Sequence, residues 1–127
     1  MLELGFREED LPARPVDGRQ SATALAIRRG TGRLLARHGL AMVTELTLAS
    51  GRRADVVALS PRGEIWIVEI KSSLEDLRAD GKWPDYKPFC DRLFFATHPA
   101  VPQAAFPAAE GLIVSDGYDA EILRPAA

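Results

Sequence analysis

At 127 residues with 46% apolar side chains, the chain is long enough for one domain with a real core and too short for two. A formal net charge of −2 excludes a histone-like or polyanion-coating protein, and a single cysteine, Cys90, excludes an internal disulfide, in keeping with a reducing, cytoplasmic compartment. The longest apolar run falls well short of the roughly 18 residues of a membrane span, and the acidic opening MLELGFREED lacks the basic flank and apolar centre of a signal peptide, so no membrane association is expected.

Residues 1–20 hold Pro12, Pro15, Asp17 and Gly18 without a sustained period. They are expected to form an extended or partly disordered lead-in to a single domain over 21–127. Residues 21–38 carry apolar side chains at 24, 25, 27, 34 and 35, which predicts a helix that tolerates Gly30 and Gly32 at a cost of about 1 kcal/mol each relative to alanine. The glycines mark either a kink or a face where the backbone approaches phosphate or another element. Arg28, Arg29, Arg33 and Arg37 lie on this helix with no acid among them. They are the expected phosphate-contacting surface, set against the blander reading of a solvated face. Gly39 is placed to end the helix.

Three runs rich in β-branched and apolar residues follow, at 41–48, 53–59 and 65–71. They are separated by Ser50-Gly51 and by Pro61-Arg62-Gly63, which predicts an antiparallel meander. Each run carries a carboxylate where a core would want an apolar side chain: Glu45, Asp55 and Glu69. Lys71, two residues beyond Glu69, shares its face, while Trp66, Val68 and Ile70 point the other way. A first hairpin centred at Ser50 sets 45 opposite 55, and a second centred at Arg62 sets 55 opposite 69, so the three acids form one row. Carboxylates so crowded repel one another unless a cation sits among them. Oxygen ligands suit Mg²⁺ or Mn²⁺, whereas zinc would want histidine and cysteine clusters that this chain lacks.

After the meander, Ser72 or Ser73 can cap a helix through residues 72–80, with Glu75 and Asp76 complementing its dipole and Gly81 stopping it. Residues 82–86 read as a turn and 87–91 as continued connection. Tyr86, Lys87 and Asp91 there are assigned packing or turn roles, and Cys90 a core or helix-face thiol. Residues 92–96 read as a buried strand that the helical crossover can set parallel to the third, giving a mixed sheet. Residues 111–115 and 120–123 flank Asp116-Gly117-Tyr118-Asp119 as a final hairpin. His38 and His98 have no ligand-like spacing, and Trp66 belongs to the core.

This order, with an acid in the second strand and Glu69-Ile70-Lys71 ending the third, resembles the restriction-endonuclease-like PD-(D/E)XK nucleases: Asp55 matches the first acid, Glu69 the second and Lys71 the lysine. More closely, the stretch RADVVALSPRGEIWIVEIKSSLEDLRADGKWPDYKPFCDRLFFA is similar to the MmcB family of bacterial DNA repair proteins, the likeness covering residues 20–124. In two places the chain departs from the superfamily pattern: Ala54 stands where the naming proline would be, and the first helix has no acid of its own, so Glu45 is the expected substitute.

The resemblance implies an α/β fold with a restriction-endonuclease-like core, in which a helix, a three-strand meander, a second helix and further strands build a mixed sheet. It implies a Mg²⁺- or Mn²⁺-dependent deoxyribonuclease that hydrolyses phosphodiester bonds in damaged or branched DNA, with DNA and other repair proteins as partners. Asp55, Glu69 and the Ile70 carbonyl would hold the metal. Lys71 would stabilise phosphate charge, and Glu45 would be a third ligand or the partner that positions Lys71. Two rival readings remain: a nuclease-like module that binds DNA or a repair partner without cutting, and an acid row that holds only a structural ion.

Overall fold

The computed structural model describes residues 21–127; the expected lead-in, 1–20, lies outside them. Helix α1 (Ala22–Arg37) begins at Ser21, whose hydroxyl accepts the Ala24 amide at 3.0 Å, and is closed by His38 and by Gly39 at φ +79°. The left-handed backbone needed to end the helix there suits glycine because it has no Cβ. Gly30 lies in the middle of α1, where a methyl group would collide with Ser115 Oγ and the Asp119 carbonyl. Of the two roles open to this glycine, the structure shows close approach to another element.

The meander forms as β1 (Ala41–Thr47), β2 (Arg53–Leu59) and β3 (Ile65–Ile70), followed by α2 (Leu74–Ala79), β4 (Arg92–Thr97), β5 (Gly111–Ser115) and β6 (Ala120–Arg124). Six strands make one sheet in the order β1-β2-β3-β4-β5-β6. The β3–β4 and β4–β5 pairs are parallel and the others antiparallel. The parallel setting of β4 on β3 follows the sequence expectation. The segment expected to be turn and irregular connection instead forms a 3-10 helix, Trp83–Phe89. Pro84 and Pro88 within it fix φ near helical values but withhold two amide donors, conditions that suit short 3-10 turns better than an α-helix.

The sheet is covered on both faces. On one, Ile27, Leu34 and Leu35 of α1 pack against Val56, Ala58, Val68, Ile70, Phe94, Ala96 and Ile113. Each of those three helix side chains contributes about 1.5–3 kcal/mol by burial, which outweighs the propensity cost of the helix glycines. On the other face, Leu77 of α2 packs with Phe95, Phe106 and Leu112, and Tyr86 of the 3-10 helix with Ile67 and Leu93. Alternation along β3 therefore sends Val68 and Ile70 toward α1, and Ile67 and Glu69 toward α2.

Candidate active site

The predicted registers hold. Thr44 pairs with Val56 and Leu46 with Ala54, which sets 45 against 55; Val56 pairs with Val68, which sets 55 against 69. At this last step side chains replace the ladder. The Asp55 amide donates to Glu69 Oε2 at 3.0 Å, and the Ile70 amide donates to Asp55 Oδ2 at 2.8 Å. Both carboxylates thus lie interlocked where β2 begins and β3 ends. Because a strand residue aims its N–H and C=O the same way, the Ile70 carbonyl points toward the Asp55 side as well.

Glu69 is only 4% exposed. Its burial, and then the charge of Asp55 beside it, push its carboxyl up to about 8. Burial also raises Asp55, against the opposing pull of the Ile70 amide and of Lys71. Two raised acids side by side are the electrostatic signature of a shared cation or a shared proton.

Lys71 is buried and pairs with Asp80, Nζ to Oδ2 at 2.7 Å. Its backbone is pinned by β4: the Lys71 amide donates to Ala96 O at 2.9 Å, and Thr97 Oγ1 donates to Lys71 O at 2.7 Å. Asp80 closes α2 and accepts the Lys82 amide at 2.8 Å. Burial acts to raise its carboxyl, but the hydrogen bond from Lys71 and the Lys82 amide outweigh it and leave it lowered. Tyr86 reaches under the site and donates its hydroxyl to Arg53 O at 2.9 Å. Burial first, then Glu69 and Asp55, push that phenol up to about 12.

Glu45 stands at its predicted register position without joining the other two acids. Its backbone takes φ +55°, and its carboxylate lies 3.4 Å from Arg28 Nη1. The expected row of three is therefore a pair plus a diverted third, and the acid that positions Lys71 is Asp80 rather than Glu45. Sequence reading missed Asp80. The only signal was its place at the end of a short capped helix, nine residues past Lys71, and no periodicity marks a helix end as site-facing.

Among the described residues, no three acids, histidines or cysteines gather round one point. The oxygen groups available at this point are the two carboxylates, with the Ile70 carbonyl on the adjoining strand edge. Each carboxylate spends one oxygen on a facing amide; among the described residues, Asp55 Oδ1 and Glu69 Oε1 have no hydrogen-bond partner. This hard-oxygen set, crowded enough to raise both acids, fits Mg²⁺ or Mn²⁺ with water completing the shell.

The four arginines are not brought to the carboxylates as a group, because α1 lies on the opposite face of the sheet from Glu69 and α2. Arg28 bonds Glu45, Arg33 lies over the Tyr118 ring, and Arg37 pairs with Asp119 and donates to Ala120 O. Arg29 is exposed. His98 Nε2 meets Ser72 O at 2.9 Å, a backbone contact. Trp66 stacks on Phe94, and the Cys90 thiol is pushed up to about 11 by burial, so both act as packing groups. No helix among the described residues is long and apolar enough to cross a membrane.

The model of one protein family, described as DNA repair protein MmcB-like, matches residues 12–127. Among solved structures, the chain is similar to SPO1766, a protein of unknown function from Silicibacter pomeroyi. The two share 45% identity at a TM-score of 0.80, over 83% of this chain and 72% of that one. No curated protein matches the sequence.

Proposed function

The chain belongs to the MmcB-like DNA repair family, and from that premise we propose that it is a metal-dependent deoxyribonuclease of the PD-(D/E)XK kind, acting on damaged or branched DNA. The interlocking of Asp55 with Glu69 where β2 begins and β3 ends, with Lys71 beside them, carries this reading. A folded domain gains nothing from setting a half-buried carboxylate beside a buried one, since their charges repel and their desolvation is costly, unless the pair has a task. The sheet order, with its N-terminal helix, meander and parallel fourth strand, supports a restriction-endonuclease-like core.

In this reading Asp55, Glu69 and the Ile70 carbonyl would hold the ion, which would supply Lewis acidity for phosphodiester hydrolysis. The residues of the chain do the rest. Glu69, whose burial beside Asp55 raises its carboxyl to about 8, would release its proton to solvent in order to serve as a ligand. The Ile70 amide holds Asp55 by Oδ2 and the Asp55 amide holds Glu69 by Oε2, so one oxygen of each is free of these bonds. Lys71 supplies positive charge near the developing phosphate charge, and Asp80 fixes where that charge stands.

One observation favours the second reading, a DNA-binding module that does not cut: Lys71 is already neutralised by Asp80 at 2.7 Å. Cleavage assays on single-stranded, duplex, flap and junction DNA with Mg²⁺ and Mn²⁺ decide between them. The nuclease reading expects metal-dependent cleavage of at least one substrate, abolished by Asp55→Asn while the mutant stays folded. No metal-dependent cleavage by the wild type hands the case to the binding module, and cleavage that survives Asp55→Asn in a folded mutant overturns the assignment of Asp55 to the site.

A further inference from the structure

Helix α1 shows a second feature on the face away from the sheet. Arg29, Arg33 and Arg37 are all exposed and stand four residues apart. They align on one side of the helix over about 12 Å, and the helix contains no acid. The turn between β5 and β6 leans on this stripe: the Arg33 guanidinium sits 4.4 Å from the centroid of the Tyr118 ring, and Arg37 pairs with Asp119. Tyr118 is 67% exposed, more than any other large apolar or aromatic side chain described, so burial does not explain its place. The acids of the turn are occupied internally. Asp116 Oδ1 accepts the Tyr118 and Asp119 amides, each at 2.9 Å, and Asp119 Oδ1 accepts the Ala120 amide at 2.8 Å.

We propose that the Arg29–Arg33–Arg37 stripe and the Tyr118 ring form a docking surface for single-stranded DNA, separate from the carboxylate site. The Arg29 and Arg33 guanidinium groups take successive phosphates, Arg37 holds the turn in place through Asp119 and Ala120 O, and the open ring takes an unpaired base. The contact with the tyrosine ring restrains the Arg33 guanidinium, and a guanidinium whose geometry is already fixed loses less freedom when its N–H groups bond phosphate. An aromatic ring beside a cationic track is the combination that binds single strands without reading sequence. A duplex keeps its bases stacked and gains only the phosphate contacts. The surface lies on the α1 side of the sheet, whereas Glu69 and Lys71 lie on the α2 side. The inference rests on the reading that DNA is the ligand, and not on cleavage.

Fluorescence anisotropy with a labelled oligo-dT strand and a labelled hairpin duplex, using the full chain in EDTA, tests it. Tyr118→Leu keeps an apolar side chain without the π face and should weaken oligo-dT binding about tenfold, within the range that loss of one base stack spans. Hairpin binding should change less than twofold, and Tyr118→Trp should bind oligo-dT as tightly as wild type. Replacing Arg29 and Arg33 by alanine should flatten the log–log salt dependence for oligo-dT by about 1.4, from two lost single-strand phosphate contacts. Equal binding of oligo-dT by wild type and Tyr118→Leu overturns the proposal. So does an equal loss for strand and hairpin, which would make the ring a prop for the turn, and so does failure of the wild type to bind oligo-dT at all. Because EDTA suppresses cleavage, a chain that never cuts DNA gives the same anisotropy outcomes.

Discussion

Asp55 and Glu69 interlock through each other's strands, so each holds the other's geometry, and a single proton or a single cation settles the charge of both. A glutamate in the unfolded chain titrates near 4.5, while Glu69 in the folded, metal-free protein titrates at about 8. Between those values folding binds a proton, so the stabilisation is complete below about 4.5 and is lost as pH rises through 8. The melting temperature in EDTA is therefore expected to fall from pH 5 to pH 8.5, and Glu69→Gln, which has no proton to lose, should flatten that slope; a melting temperature rising over the same range would refute the assignment. Asp80 makes a second test at this scale. Removing it as Asn leaves Lys71 buried without its counter-charge, so stability should fall by about 3–5 kcal/mol in urea melts if the pair is fully desolvated, and by less in proportion to its residual exposure. If Asp80 positions Lys71 for chemistry, Asp80→Glu should restore kcat more than Asp80→Asn does, with KM little changed.

At the scale of elements, α1 and α2 do opposite jobs. Gly30 lets α1 approach the β5–β6 turn, and Gly30→Ala should destabilise the fold by about 1–2 kcal/mol: overpacking costs about 1–3 kcal/mol and outweighs the gain of about 1 kcal/mol in helix propensity. Gly32 provides the contrast. A methyl group there meets only the flexible end of Met42, 3.2 Å from Cε. Gly32→Ala should accordingly be neutral or stabilising, and urea melts of the two variants side by side check the difference. Helix α2 is a six-residue arm whose cap, Ser73, accepts the Asp76 amide at 3.0 Å and whose last position delivers Asp80 to Lys71. Its stability is therefore coupled to the site, and Ser73→Ala, costing about 1 kcal/mol, should weaken any metal binding as well as the fold.

At the scale of the whole molecule, the six-stranded sheet separates two surfaces of unlike charge, an arginine-bearing helix on one side and an acidic pair on the other. A divalent ion that binds only the folded state raises stability by mass action, about 2.7 kcal/mol at a hundred times its Kd. Mg²⁺ or Mn²⁺ should accordingly raise the melting temperature of the wild type, and Asp55→Asn should lose that increment. In EDTA above about pH 8, where Glu69 has lost its proton, the same substitution should leave the domain no less stable, because one of two crowded charges is gone. No metal-dependent rise in the wild type would leave Asp55 and Glu69 as a proton-sharing pair.

The sequence by itself determined the order of the two α-helices and six strands, though not the 3-10 helix at Trp83–Phe89, and both registers of the β1–β2–β3 meander. Period-two alternation, two turn clusters and a capped helix are local signals, and a register once fixed by its turn carries 45, 55 and 69 into line. It also determined that Asp55 and Glu69 meet, since their meeting follows from that register. Only the tertiary structure decided which acid reaches Lys71, because Asp80 arrives through the length and direction of α2 in space and not through spacing along a strand. Only the tertiary structure turned Glu45 away, through a positive φ that no residue preference announces at a glutamate and an Arg28 that is a neighbour only once α1 has packed. The placing of the arginines behind the sheet, with Tyr118 beneath Arg33, belongs to the same class: a helix periodicity shows which residues share a face, but only the packing of that helix on the sheet shows which way the face looks.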